Sequence, residues 1–265
     1  MLVPFQTSGA KPALYLVHGL GGLMSMGRFF AQSLGSDQPL YGINANGIDG
    51  RESTASNSQA MALAYVDEIL DAQPDGQLLL GGMCGGGLIA MEVARELKAR
   101  GREVGLVILL DPPPVPHIYE PHKRLVDPQN PAIVSRLYRG TRAYLLKQDP
   151  QDIPFPANDE KRTHLATLAG VNACVALSQH RPKAFPGKVT AILSSERAAG
   201  FFHPQMPWAK LLLQRSTAHV VSGSHEDFFN SARYDVARIL KFVLESVTHS
   251  GSRTEDPAGS IFASV

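Results

Sequence analysis

Three residues of this chain could act together as a nucleophile, a base and the group that orients the base. Cys84 lies in Gly82-Met83-Cys84-Gly85-Gly86, between a strand-like run at Gln77–Leu80 and a helix-like run at Leu88–Arg100. This is the setting of a nucleophile elbow, G-x-S-x-G, with cysteine in the serine position. The glycines have a steric reason. The nucleophile sits in a strained turn, and side chains two residues to either side would collide with the adjoining strand and helix. The helix N-terminus behind Cys84 contributes partial positive charge, which favours a thiolate. It also directs the Gly85 backbone N–H toward a developing oxyanion. A bare G-x-C-x-G is a common glycine-rich turn, so the weight comes from the strand before it and the helix after it.

Asp111 ends the next apolar run, Val104–Leu110, and stands 27 residues after Cys84 (111 − 84). His225 lies in Gly223-Ser224-His225-Glu226-Asp227, directly after the run Ala218–Val221. Both fall at the C-terminal ends of strand-like runs, where open parallel sheets place functional groups. The chain order nucleophile, acid, histidine is that of the α/β-hydrolases. In this reading His225 accepts the Cys84 proton, and Asp111 orients the imidazole and stabilises its cation. The segment His18-Gly19-Leu20-Gly21-Gly22 follows the first apolar run. It fits neither G-x-x-x-x-G-K-[ST] nor G-x-G-x-x-G, which argues against a phosphate or dinucleotide loop. Its expected role is to supply a second oxyanion donor, the Leu20 N–H, with His18 shaping the loop. The other histidines form no HExxH or Cys/His metal spacing, so neither a metal nor a bound cofactor is expected. Cys174, in a helical pattern with Leu168, Val171, Val175 and Leu177, reads as packing.

The elements that must position these residues follow an alternating rhythm. Ala13–Val17, Leu40–Ile43, Gln77–Leu80 and Val104–Leu110 are short apolar runs, separated by amphipathic stretches at Ser58–Ala72 and Leu88–Arg100. Buried strands joined by helices imply a parallel sheet, because parallel neighbours need a crossover. The rhythm stops at Pro112. From there to Pro186 prolines punctuate two helical segments, about 133–148 and 160–179, which reads as a helical lid inserted over a site. It resumes with Lys188–Leu193, a helix about 208–213, the run Ala218–Val221 and a last helix about 231–247. The expected fold is therefore α/β, an α/β-hydrolase fold with a mostly parallel central sheet. One domain over 1–247 would carry the lid at about 112–186, and 248–265 would form a loose tail.

Composition sets outer limits. Hydrophobic residues make up 44% of the 265 and charged residues 18%, as in an ordinary globular domain. Formal net charge is +1 without a basic face, so no nucleic-acid partner is expected. Two cysteines exclude a disulfide framework and fit a reducing compartment. The polar N-terminus is no signal peptide and no apolar run approaches a membrane span, so the expectation is a cytoplasmic protein without membrane contact.

Read as a whole, the sequence resembles the thioesterase domains that terminate non-ribosomal peptide synthetases and polyketide synthases. The likeness runs over about 2–247. It rests on Tyr15-Leu16-Val17-His18-Gly19-Leu20-Gly21-Gly22, on Leu40-Tyr41-Gly42-Ile43 followed by Gly47-Ile48-Asp49-Gly50, and on Gln73-Pro74-Asp75-Gly76. Later it includes Met91-Glu92-Val93-Ala94-Arg95-Glu96-Leu97 with Gly101, Val107-Ile108-Leu109-Leu110-Asp111, Trp208 and Val221-Ser222-Gly223-Ser224-His225. The resemblance implies a catalytic triad at Cys84, Asp111 and His225, and oxyanion amides at Leu20 and Gly85. It also implies an acyl or peptidyl chain delivered on the phosphopantetheine arm of a carrier-protein domain, fused upstream, and released by hydrolysis or cyclisation beneath the lid. The departure is the cysteine. Serine would turn the carrier's thioester into an oxoester, whereas cysteine exchanges one thioester for another and keeps the acyl group activated. That suggests a demanding release such as closing a β-lactam or β-lactone. Plain hydrolysis, or a serine-to-cysteine exchange made to trap the acyl-enzyme, are the alternatives. Two other readings stand beside chain termination: a stand-alone editing thioesterase that clears misprimed carriers, and a hydrolase-like binding domain without catalysis.

Overall fold

The computed structural model describes residues 1–51, 57–113, 127–156, 158–201, 208–212 and 216–249. Seven strands form one sheet in the order β1-β3-β2-β4-β5-β6-β7. They are β1 Leu2–Gln6, β2 Ala13–Val17, β3 Leu40–Ile43, β4 Leu78–Met83, β5 Val104–Leu110, β6 Val189–Ser194 and β7 Ser216–Val221. All neighbours pair in parallel except β1, which runs antiparallel to β3. Strands β2, β4 and β6 are buried along their whole length. Helices cover both faces, so these strands read as continuous apolar runs rather than alternating ones.

On one face lie α2 (Ser58–Ala72) and α3 (Gly86–Ala99), whose Tyr65, Val66, Ile69, Leu88 and Val93 pack with the outward side chains of β2, β4 and β5. The other face is covered by α1 (Gly27–Leu34) and the last helix α9 (Arg233–His249), through Phe30, Leu34, Val236, Leu240 and Leu244. Between β5 and β6 come α4 (Pro131–Leu146) and α5 (Glu160–Gln179). Their starts are chemically marked. Asn130 caps α4 with Pro131 in its first turn, and the Asp159 carboxylate accepts the Arg162 N–H at the start of α5. Leu145 and Ala166 from these helices close a third apolar cluster with Leu23 and Ile48, which pins the pair over the loop after β2. Three further short helices lie among the described residues: α6 (Ser195–Phe201), α7 (Trp208–Leu211) and α8 (His225–Phe229).

The parallel sheet and the helix pair at 133–148 and 160–179 agree with the sequence reading, with ends moved by a few residues. Strand β4 continues through Gly81-Gly82-Met83 instead of stopping at Leu80. Glycine is accepted there because the neighbours come close, and a Cβ on Gly81 would press on Leu16 and the Ile108 carbonyl. Elements not anticipated include β1, α1 and the short helices α6 and α8. Strand β1 contains Pro4 and lies at the sheet edge, where a missing N–H is tolerated and alternation is weak. The expected tail lies outside the described residues from 250 onward, as does Leu213, the end of the expected helix at 208.

Candidate active site

Five strands that are consecutive in the sheet, β2-β4-β5-β6-β7, deliver their C-terminal ends to one place. After β2 comes the His18–Gly22 loop, after β4 Cys84, after β5 Asp111, after β6 the segment Ser194–Arg197, and after β7 His225. Among the described residues only two non-glycines have positive φ, Cys84 at 50° and Asp111 at 48°. Such conformations cost on the order of 1–3 kcal/mol and persist only where the surroundings dictate them. At Cys84 the dictating contacts are visible. The Cys84 N–H donates to the Leu110 carbonyl at 2.8 Å, while the Cys84 carbonyl accepts from the Gly87 N–H at 3.2 Å. A Cβ on Gly82 would overlap the Gly86 backbone, and one on Gly86 would overlap the His18 carbonyl oxygen. The glycines therefore allow the turn to close against both its own helix and the neighbouring loop.

The structure brings Cys84, Asp111 and His225 together. The His225 ring lies with Nδ1 2.6 Å from the Asp111 Oδ2 and close enough to the Cys84 sulfur for the two groups to shift each other's titration. Asp111 is fully buried, yet its carboxylate is well supplied with donors: the Ser194 N–H at 2.7 Å, the Ser194 hydroxyl at 3.1 Å and the His225 ring. His225 is the first residue of α8, whose start is fixed by a capping box between Ser224 and Asp227. Its side chain remains one-third exposed, facing the site from the rim.

Electrostatics at this cluster favour separated charge. Burial by itself would raise the Cys84 thiol, but the His225 hydrogen bond and charge, followed by those of Arg197, hold it below the ordinary thiol range. For His225 burial works against the cation, while bonds to Asp111 and Cys84 push it up to about 9. Both shifts act in the same sense, favouring a thiolate–imidazolium pair over the neutral one. Cys174 behaves oppositely. On α5, buried, its thiol is raised by desolvation, with the Gly21 backbone N–H working weakly the other way.

Leu20 and Gly85 also meet. A Cβ placed on Gly85 would lie 3.7 Å from the Leu20 side chain and 3.3 Å from Leu177 of α5. Among the described residues neither amide N–H has a hydrogen-bond acceptor. His18 fixes the peptide between Gly19 and Leu20. Its Nδ1 is 2.7 Å from the Gly19 carbonyl, and its Nε2 is 2.8 Å from the Tyr65 hydroxyl. Burial lowers His18 to about 4, so the ring is neutral; Nδ1–H donates to the carbonyl and Nε2 accepts from Tyr65. In a trans peptide C=O and N–H point opposite ways, so anchoring the Gly19 oxygen aims the Leu20 N–H away from His18.

What sequence reasoning missed is the segment Ser194-Ser195-Glu196-Arg197. Ser194 holds the Asp111 carboxylate. The Ser195 hydroxyl donates to the Gly223 carbonyl and accepts its N–H, both at 3.1 Å. Glu196 accepts the His225 backbone N–H at 2.7 Å. Arg197 reaches the Cys84 sulfur at 3.6 Å, the Asp111 carbonyl oxygen, and the Asp111 carboxylate at 3.6 Å. The only signal in the sequence was position, since polar residues directly after a buried strand stand at the functional edge of a parallel sheet. Among the described residues no cluster of three or more His, Cys, Asp or Glu could hold a metal, and no helix is long and apolar enough to cross a membrane.

Comparison with known proteins agrees with this fold. The family pattern described as "Thioesterase domain" matches residues 12–244. A dimodular nonribosomal peptide synthase of Bacillus subtilis is 31% identical over 201 residues, which are 71% of this chain and 8% of that protein. Malpinin synthetase of Mortierella alpina is 38% identical over 113 residues, 43% of this chain and 2% of that protein. The chain thus spans only a small part of the length of these relatives. Among solved structures, a four-domain nonribosomal peptide synthetase bound to AMP and glycine superposes with a TM-score of 0.74 at 19% identity, over 91% of this chain and 20% of that one. The NocB thioesterase domain from the nocardicin cluster gives 0.67 at 22% identity, over 92% and 98% of the two chains. With a family match over most of its length and an α/β fold shared with such domains, this chain belongs to the thioesterase-domain family.

Proposed function

We propose that this domain takes an acyl or peptidyl chain from the phosphopantetheine arm of a carrier protein onto Cys84 and releases it by intramolecular ring closure. The observation that carries this reading is Cys84 in a positive-φ elbow, electrostatically coupled to a His225 that Asp111 holds, within a thioesterase family member. In the acylation step the Cys84 thiolate attacks the carrier thioester carbon. The Leu20 and Gly85 N–H groups face the oxygen that becomes negative. The pantetheine sulfur departs as the C–S bond breaks and takes its proton from the His225 cation. In release, neutral His225 accepts the proton of a hydroxyl or amine on the bound chain, that group attacks the acyl carbon, and Cys84 leaves as thiolate. The thioester intermediate keeps more acyl-transfer potential than the oxoester a serine would form. This favours a strained product such as a β-lactone or β-lactam. Helices α4 and α5, packed over the Leu20 loop, serve as the lid that keeps water from competing.

The multidomain nature of the relatives supports a carrier fused upstream, and this favours chain termination over a stand-alone editing role. Intact-protein mass spectrometry with an acyl-pantetheine thioester tests the first step; the expected result is an acyl adduct that Cys84→Ala abolishes. Chromatography of products from β-hydroxy- and β-aminoacyl thioesters tests the second. Linear acid as sole product would overturn ring closure while leaving Cys84 acylation intact.

A further inference from the structure

We propose that Arg197 is a further catalytic residue, a permanent cation that pairs with the Cys84 sulfur whenever it is a thiolate, so that ionisation of the nucleophile does not depend on His225 alone. The inference rests on the assignment of Cys84 as nucleophile. Its basis is geometric. Arg197 comes from α6, and its side chain is 16% exposed. One terminal nitrogen lies 3.6 Å from Sγ and also donates to the Asp111 backbone carbonyl, while Nε stands 3.6 Å from the Asp111 carboxylate. The backbone of the same residue is tied back, its N–H donating to the Ser194 hydroxyl at 3.3 Å. A guanidinium fastened at so many points is aimed before any substrate arrives, and it cannot be deprotonated in a protein.

The chemistry explains why a second cation is useful. During acylation the imidazolium must give its proton to the departing pantetheine sulfur, and so cannot remain the partner of Sγ. Arg197 keeps a positive charge on the attacking sulfur during that transfer. During release the acyl–Sγ bond breaks and the electron pair stays on sulfur. The proton of the attacking hydroxyl or amine goes to His225, and Arg197 receives the charge that forms on Cys84. A serine oxygen needs that proton returned to it in order to leave; a thiolate paired with a fixed cation does not. The Arg197–Cys84 contact therefore suits a cysteine in this elbow.

The charged and titratable groups facing Sγ are His225 from α8, Arg197 from α6, Asp111 after β5 and Cys174 from α5, with Glu196 behind the His225 backbone. The test uses a Cys174→Ala background, so that iodoacetamide reports only on Cys84, and follows the alkylation rate against pH. Arg197→Gln retains hydrogen-bonding capacity but not charge, and should move the acid limb of the profile upward by about one pH unit. Arg197→Lys should restore most of the shift. An unchanged profile in Arg197→Gln, or a Lys variant that behaves like Gln, would overturn the proposal, and the Lys variant alone keeps it testable should Gln fold poorly. Acyl-adduct formation on the same proteins separates this result from the assignment beneath it. If no acyl group ever appears on Cys84, the nucleophile reading fails. If the adduct forms while the profile is insensitive to charge at 197, only the role of Arg197 fails.

Discussion

The elbow at Gly82–Gly86 and the segment Ser194–Arg197 meet around the same sulfur, but they are built on different principles. The elbow is local. Its shape follows from glycines that let backbone approach backbone, and each forbidden Cβ has an identifiable neighbour within a few residues or in the adjoining His18 loop. The second segment has no shape of its own. Its four consecutive side chains or backbones reach Asp111, Gly223, His225 and Cys84, which lie between 28 and 113 residues away along the chain. One region makes a strained conformation possible, and the other holds together the partners that give it a use.

The largest loss is expected at the nucleophile. Cys84→Ala should reduce acyl transfer from a thioester by about 10⁵-fold, measured as single-turnover release of pantetheine thiol. Asp111→Asn, which keeps shape but loses charge, should lower the same rate by about 10³- to 10⁴-fold. The elbow's steric basis can be tested apart from chemistry. Gly86→Ala drives a Cβ into the His18 carbonyl and should cost about 3 kcal/mol in urea denaturation, although it removes no polar contact.

Two smaller effects sharpen the contrast. His225 is raised to about 9 in the folded state, above its ordinary value of 6.5. Its contribution to stability is therefore fully present below pH 6.5 and lost as pH rises through about 9. Thermal melting of the wild type should decline across that window, and Asp111→Asn, without the carboxylate that raises His225, should decline less. Last, Ser195→Ala removes the paired bonds to Gly223 and touches neither sulfur nor carboxylate. It should cost about 1 kcal/mol and change the rate only a few-fold, by loosening the entry to α8. A loss as large as that of Asp111→Asn would mean that the segment does more than hold its neighbours.

Much of this molecule could be read from the chain. Buried parallel strands announce themselves as uninterrupted apolar runs, and α2 and α5 begin and end where periodicity and caps place them. Cys84 and Asp111 could be singled out because each follows such a run, and His225 because it follows the shorter run of β7, so that position along the sequence stands for position at the sheet's C-terminal edge. Strand β1 escaped notice because an edge strand with a proline shows neither alternation nor a full apolar run. Helix α8 escaped because five residues are too few to display a period.

The buried strands, the glycine turn and the residue types at the sheet edge are written in the chain itself, since they depend on sterics and burial between near neighbours. Which polar side chains converge is fixed only in three dimensions. Arg197 and Glu196 look like surface residues of a short helix until β6 is laid between β5 and β7. That pairing carries them to the buried carboxylate and to the histidine, because strand order is set by long-range packing that no local pattern encodes.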